Sequence, residues 1–157
     1  MLDTALELAV IMHSEQVDKG GHPYILHPIR VMLALQSEDE ELQAIALLHD
    51  SLEDSLEIHS SSMKQTLHTS WPEASVDRVL GTVELLTRKN GQSYNQYIDA
   101  MKNNKDALLV KLADLRDNSD VSRIPNPTIE DRKRFQKYQK AIKRVEKHLQ
   151  NLEVGLE

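Results

Sequence analysis

The sequence predicts one all-α domain of about seven or eight helices spanning residues 1–157. Two observations carry this reading. Apolar residues recur at intervals of three and four along most of the chain, the period of a helix with one buried face. Aromatic residues make up only 4% of the chain, so Leu, Ile, Val and Ala must supply the core, a mix richer in helix formers than in strand formers. The length suffices for a domain with a real core, and no alternating run of convincing length reads as a strand.

The elements follow in order. Leu6, Ala9, Val10 and His13 share a helical face between Asp3 and about Lys19, and Lys19, Gly20, Gly21 and Pro23 break it. A second helix starts near Pro28, a good first-turn residue, which puts His27 just before it. A third runs from near Glu38 to His49, and a short one is expected over residues 60–69. Val76, Val79, Leu80, Val83 and Leu86 line one face of a helix from Glu73 to Thr87. Ser93 and Gln96 have capping-box spacing and open the next. Asp106 to Asn118 reads as helix and Arg123 to Pro127 as loop. A charged helix follows from the Thr128 cap to about Leu149.

Composition excludes several classes. The net charge is −6, against general nucleic-acid binding, which needs a basic surface. The absence of cysteine removes disulfides, thiolate zinc sites and cysteine nucleophiles. The first residues lack a positive n-region, and no apolar run is long enough to cross a bilayer, so a cytoplasmic location is expected.

The chemistry concentrates in ALLHDSLEDS. An apolar helical stretch ends in His49-Asp50, and Glu53-Asp54 follow within one helical turn. Burying such charges is costly without a partner or a metal. His27, ahead of Pro28, and Asp114, at the end of another apolar stretch, complete a mixed nitrogen and oxygen set. That set suits manganese, iron or zinc better than calcium. Each residue also has a plainer reading. His49-Asp50 can be a capping pair, His27 a core histidine, and Asp114 a surface partner of Lys111 or Arg116. The basic run Arg132-Lys133-Arg134 with Lys137, Lys140, Lys143, Arg144 and Lys147 reads as a solvated helix face, the alternative being one wall of an anion pocket.

His27, His49-Asp50 and Asp114 reproduce the ordered pattern of HD-domain metal-dependent phosphohydrolases. HSEQVDKGGHPYILHP, ALLHDSLEDS and LLVKLADLRDN, between residues 13 and 118, resemble three successive motifs of the RelA/SpoT-type hydrolase domain. The resemblance implies a single HD-type helical bundle holding manganese through His27, His49, Asp50 and Asp114. It implies a small-molecule nucleotide partner and removal of the 3′-pyrophosphate from guanosine tetra- or pentaphosphate, with no synthetase activity. Glu53 and Asp54 then handle the attacking water, or orient the metal ligands. Asn118 matches a nucleoside-contact position, Lys19 a basic position near the phosphates, and Arg88 a position where the family often has Lys. Tyr138 is a further candidate for packing on the nucleoside. One departure stands out: Asp18 replaces the arginine that stacks on guanine in the family, and an aspartate cannot make that contact. Hydrolysis of another nucleotide phosphate ester, and non-catalytic nucleotide binding, are therefore the alternatives.

Overall fold

Ala44 to Leu48 are all buried, so the helix that carries them, Glu40–Leu48, has neighbours on nearly every side. The computed structural model describes residues 1–52, 56–124 and 126–155, without the side chains of residues 56–60 and Arg123. Among the described residues it contains eight α-helices and one short 3₁₀ turn. They are α1 (Leu2–Met12), α2 (Leu26–Ala34), α3 (Glu40–Leu48), α4 (Leu56–His68), α5 (Glu73–Leu86), α6 (Tyr94–Ala100), α7 (Lys105–Asn118) and α8 (Ile129–Val154). The all-α expectation holds, and the arrangement matches an HD-type helical bundle. No described helix is long and apolar enough to cross a membrane.

α3 sits at the centre. It packs against α1, α2, α5 and α7, while α8 lies along α7 and touches α6. Its start is fixed by Asp39, whose carboxylate accepts the amides of Glu41 and Leu42 at 3.0 and 3.2 Å. Arg78 of α5 then ties this end to α7, with ion pairs to Asp39, Glu41 and Asp106 of 2.6–2.9 Å. The expected capping box forms at Ser93 with Gln96, and the expected Thr128 cap is itself a capping box with Asp131.

Several boundaries differ from the expectation: α4 starts at Leu56 rather than near residue 60, α8 runs to Val154 rather than to about Leu149, and three others bear on the site. α1 stops at Met12 rather than near Lys19, because Glu15 adopts a left-handed φ of 67° and Val17 pairs with Pro23 in an isolated antiparallel bridge. α2 begins at Leu26, so His27 lies inside its first turn. α3 ends at Leu48, and residues 49–52 form turns, so the helical spacing assumed beyond His49 does not apply there. Glu53 and Asp54 lie outside the described residues.

Candidate metal centre and cavity

Three elements deliver the four expected ligands to one spot. His27 comes from α2, His49 and Asp50 from the end of α3, and Asp114 from α7. His27 Nε2 lies 3.4 Å from Asp50 Oδ2 and 3.3 Å from Asp114 Oδ1. His49 Nε2 lies 3.1 and 3.8 Å from the same two oxygens. The ligand atoms of His27, His49 and Asp50 all fall within 4.8 Å of one another. His27, His49 and Asp114 are buried, Asp50 partly so.

The other imidazole nitrogens are committed. His27 Nδ1 donates to Asp117 Oδ2 at 2.7 Å, and Arg30 grips the same carboxylate at 2.8 and 3.2 Å. His49 Nδ1 donates to the Ala46 carbonyl at 2.7 Å. Both rings therefore turn Nε2 toward Asp50 and Asp114, and both Nε2 atoms are buried without a hydrogen-bond partner. Buried polar atoms rarely stay unpaired. Two of them facing two carboxylates, each ring anchored by an acceptor on its far nitrogen, is the arrangement a transition-metal ion completes. The donor set fits the expected group.

Electrostatics point the same way. Burial disfavours charge at His27, yet the carboxylates of Asp114, Asp117 and Asp50 outweigh it and raise its pKa to about 11. Burial likewise opposes the charged form of His49, and Asp50 with Asp114 lifts it to about 9. Burial alone would push both carboxyls up. His49 and His27 hold Asp50 well below the usual range, and Lys111 with the two histidines does so for Asp114. The cluster gathers positive charge, as protons or as a metal ion that displaces them.

Neighbouring donors fix the carboxylates. The Tyr24 hydroxyl donates to Asp50 Oδ2 at 2.6 Å, and Lys111 Nζ to Asp114 Oδ2 at 2.6 Å. The Asn118 amide donates to Asp114 Oδ1. The plain reading of Asp114 is thus half right: it pairs with Lys111, but both are buried and no surface pair exists there.

A cavity of about 450 Å³ opens over Asp50 and Asp114. All four tyrosines of the chain, Tyr24, Tyr94, Tyr97 and Tyr138, line it, with the cations Lys19, Arg88, Lys111, Arg134 and Lys137. Lys137 Nζ lies 3.9 Å from the centre of the Tyr94 ring, and the Arg88 guanidinium 5.9 Å from it. Burial, with repulsion from Arg88 and Lys111, lowers the pKa of Lys137. Four carboxylates, Asp18, Asp50, Asp114 and Asp120, share the lining, and the wall of Arg88, Arg134 and Lys137 is the side of the cavity that suits an anion.

Most of the basic run is solvated as expected, and two of its residues also meet the expected alternative. Arg134 and Lys137, three apart on α8, form a wall of the cavity, whereas Lys133 pairs with Glu130 on the exposed side. Of the expected ligand contacts, Lys19, Arg88 and Asn118 all line the cavity. Each also has a partner within the protein: Asp131 for Lys19, the Gln92 carbonyl for Arg88, and Asp114 for Asn118. Asp18 builds the adjoining turn. Its Oδ1 accepts the Gly20 and His22 amides at 2.8 and 3.0 Å, around Gly21, whose φ of +81° favours glycine. Tyr24, Tyr94, Tyr97 and Asp117 carry no expectation from sequence, and Lys111 only that of a surface partner for Asp114. Asp117 had a signal, three residues after Asp114 on the same helical face.

No family model matches the chain. Among curated proteins, it is 33% identical over 127 residues to the guanosine-3′,5′-bis(diphosphate) 3′-pyrophosphohydrolase of Aquifex aeolicus, covering 74% of this chain and 17% of that protein. It is 31% identical over 135 residues to the bifunctional (p)ppGpp synthase/hydrolase RelA of Mycobacterium tuberculosis, covering 85% of this chain and 18% of that protein. A probable GTP pyrophosphokinase of Mycobacterium leprae matches at 31% over 139 residues, 85% of this chain and 17% of that protein. The chain belongs to the RelA/SpoT-type family. This RelA/SpoT-type chain spans under a fifth of the length of these relatives.

Proposed function

We propose that the protein is a manganese-dependent hydrolase that removes the 3′-pyrophosphate from guanosine tetra- or pentaphosphate. The observation that carries this reading is the pair of buried, unpartnered Nε2 atoms facing Asp50 and Asp114 on the floor of a cation-lined cavity. The name of the Aquifex relative supports the reaction and the substrate.

His27, His49, Asp50 and Asp114 would hold the ion. When bound, it supplies Lewis acidity toward water and phosphate oxygen. The chain's own groups do the rest. Asp117 and the Ala46 carbonyl keep the imidazoles oriented. Tyr24, Lys111 and Asn118 hold the two carboxylates in place. Arg88, Arg134 and Lys137, at the cavity wall, offset the negative charge of a polyphosphate. The tyrosine faces offer apolar contact for a nucleoside. Glu53 and Asp54 are assigned to accept the proton of the attacking water.

The test is direct. Purified protein with manganese should release pyrophosphate from guanosine tetraphosphate, and Asp50→Ala should lose metal binding and turnover together. A manganese-loaded protein that releases none sinks the reaction.

Asp18 favours a second reading, hydrolysis of a different nucleotide phosphate ester. Its carboxylate is built into the turn at the cavity edge where the family places a base-stacking arginine. A panel of nucleotides decides between the two. Cleavage confined to the guanosine 3′-pyrophosphate rejects the second.

A further inference from the structure

Asp131 has two jobs in this fold, and only one of them is explained by its helix. It occupies the third position of α8, and its Oδ2 accepts the amide and hydroxyl of Thr128 at 3.0 and 2.7 Å. That is ordinary capping. Its other oxygen, Oδ1, takes Lys19 Nζ at 2.7 Å and lies 3.6 Å from Arg134 Nη2. Lys19 arrives from the turn between α1 and α2, 112 residues away.

The accessibilities matter. The Asp131 side chain is 6% exposed and that of Lys19 58%. Both cations line the cavity, whereas Asp131 does not. A buried carboxylate thus stands behind two cavity cations and draws both to one oxygen. A capping box requires nothing of that oxygen.

We propose that Asp131 is a positioning residue for the anion pocket, holding Lys19 and Arg134 at the cavity edge where a phosphate group of the ligand meets them. The role rests on reading the cavity as a phosphate site, as above. It joins the turn that carries Asp18 to the first turn of α8, so the two sides of the cavity edge are set by a single ion pair. Lys19, more than half exposed, would otherwise sample many rotamers, and its ordering is an entropic cost that ligand binding no longer bears.

The cap and the pairing can be separated by Asp131→Asn. The amide oxygen still accepts from Thr128, while the amide nitrogen takes the place of the oxygen that faces Lys19 and Arg134. Binding of inorganic pyrophosphate to the manganese-loaded protein, measured by calorimetry, should weaken about tenfold, the scale of one lost charge-assisted hydrogen bond. The melting temperature should stay close to that of the wild type, while Asp131→Ala, which also loses the cap, should melt lower. Lys19→Met should weaken binding as well, and the double variant should fall short of the sum, because the two changes break one interaction. Wild-type binding by Asp131→Asn, full additivity with Lys19→Met, or a binding loss that tracks unfolding of Asp131→Asn would each overturn the role. Because the readout is binding, a failure of turnover strikes the proposed reaction and leaves this inference to its own result.

Discussion

His27 and Asp117 are locked together by a 2.7 Å bond from Nδ1, and that bond decides which nitrogen of His27 faces the ligand cluster. Arg30 holds Asp117 from the other side, so the imidazole has little freedom to turn. Asp117→Asn sets an amide donor against the ring and favours the wrong tautomer. Manganese affinity should fall by about 10- to 100-fold, the usual effect of removing such a partner. Calorimetry with manganese checks this, and circular dichroism should show the helix content unchanged. Unaltered affinity would mean that Asp117 orients nothing.

The cationic wall predicts a binding effect distinct from chemistry. Lys137, beside Tyr94 and repelled by Arg88 and Lys111, is best satisfied by an anion. Lys137→Gln should raise KM for guanosine tetraphosphate by about 3- to 10-fold with a smaller change in kcat, as expected when binding is lost uniformly. The wild type should also lose affinity more steeply with salt than the variant does. Steady-state kinetics at two ionic strengths measure both.

Stability should depend on acid through the ion pairs of α6 and α8. Arg144 and His148 lie against Asp99, with Arg144 Nε at 2.6 Å and His148 Nε2 at 2.8 Å. The Arg144 hydrogen bond outweighs the small cost of desolvation and, helped by His148, lowers the Asp99 carboxyl from 3.8 to about 2. A depressed carboxyl stabilises the fold fully above its ordinary pKa, and this contribution is lost as pH falls from about 4 to about 2. The effect is modest, since both side chains are more than a third exposed. Arg144→Met should flatten that part of the pH profile. Urea midpoints at pH 5, 4, 3 and 2, about one unit apart, read the slope for both proteins.

The core beneath the site should be intolerant of truncation. Leu48 is fully buried and immediately precedes His49. Leu48→Ala should cost about 2–5 kcal/mol, from lost apolar burial and the cavity left behind. Denaturant titration gives the stability, and manganese binding at saturating folded fraction shows whether His49 has moved.

Much of the fold was legible because helical periodicity and caps are local. Leu42, Ile45 and Leu48 mark a buried helix in any context, and Ser93 with Gln96 writes its own start. The boundaries that shifted did so for reasons that spacing does not carry. The left-handed Glu15 and the Val17 to Pro23 bridge end α1 early. Of the candidate site, the four ligands were readable as histidines and carboxylates ending apolar stretches, an expensive placement unless a cation compensates it. Residues such as Tyr24 and Tyr94 carry no such signal, since each is unremarkable until its surroundings are known.

The sequence alone determined the helical class and the order of the helices, and it singled out His27, His49, Asp50 and Asp114 as candidate ligands. Packing decided everything that depends on two distant segments meeting. It brought Asp117 to His27, placed Arg134 and Lys137 of the basic run at the cavity wall, and set Asp131 behind Lys19. The reason is physical. Periodicity reports which face of a helix avoids water, whereas a hydrogen bond between residues about a hundred positions apart exists only once helix packing fixes their distance and direction.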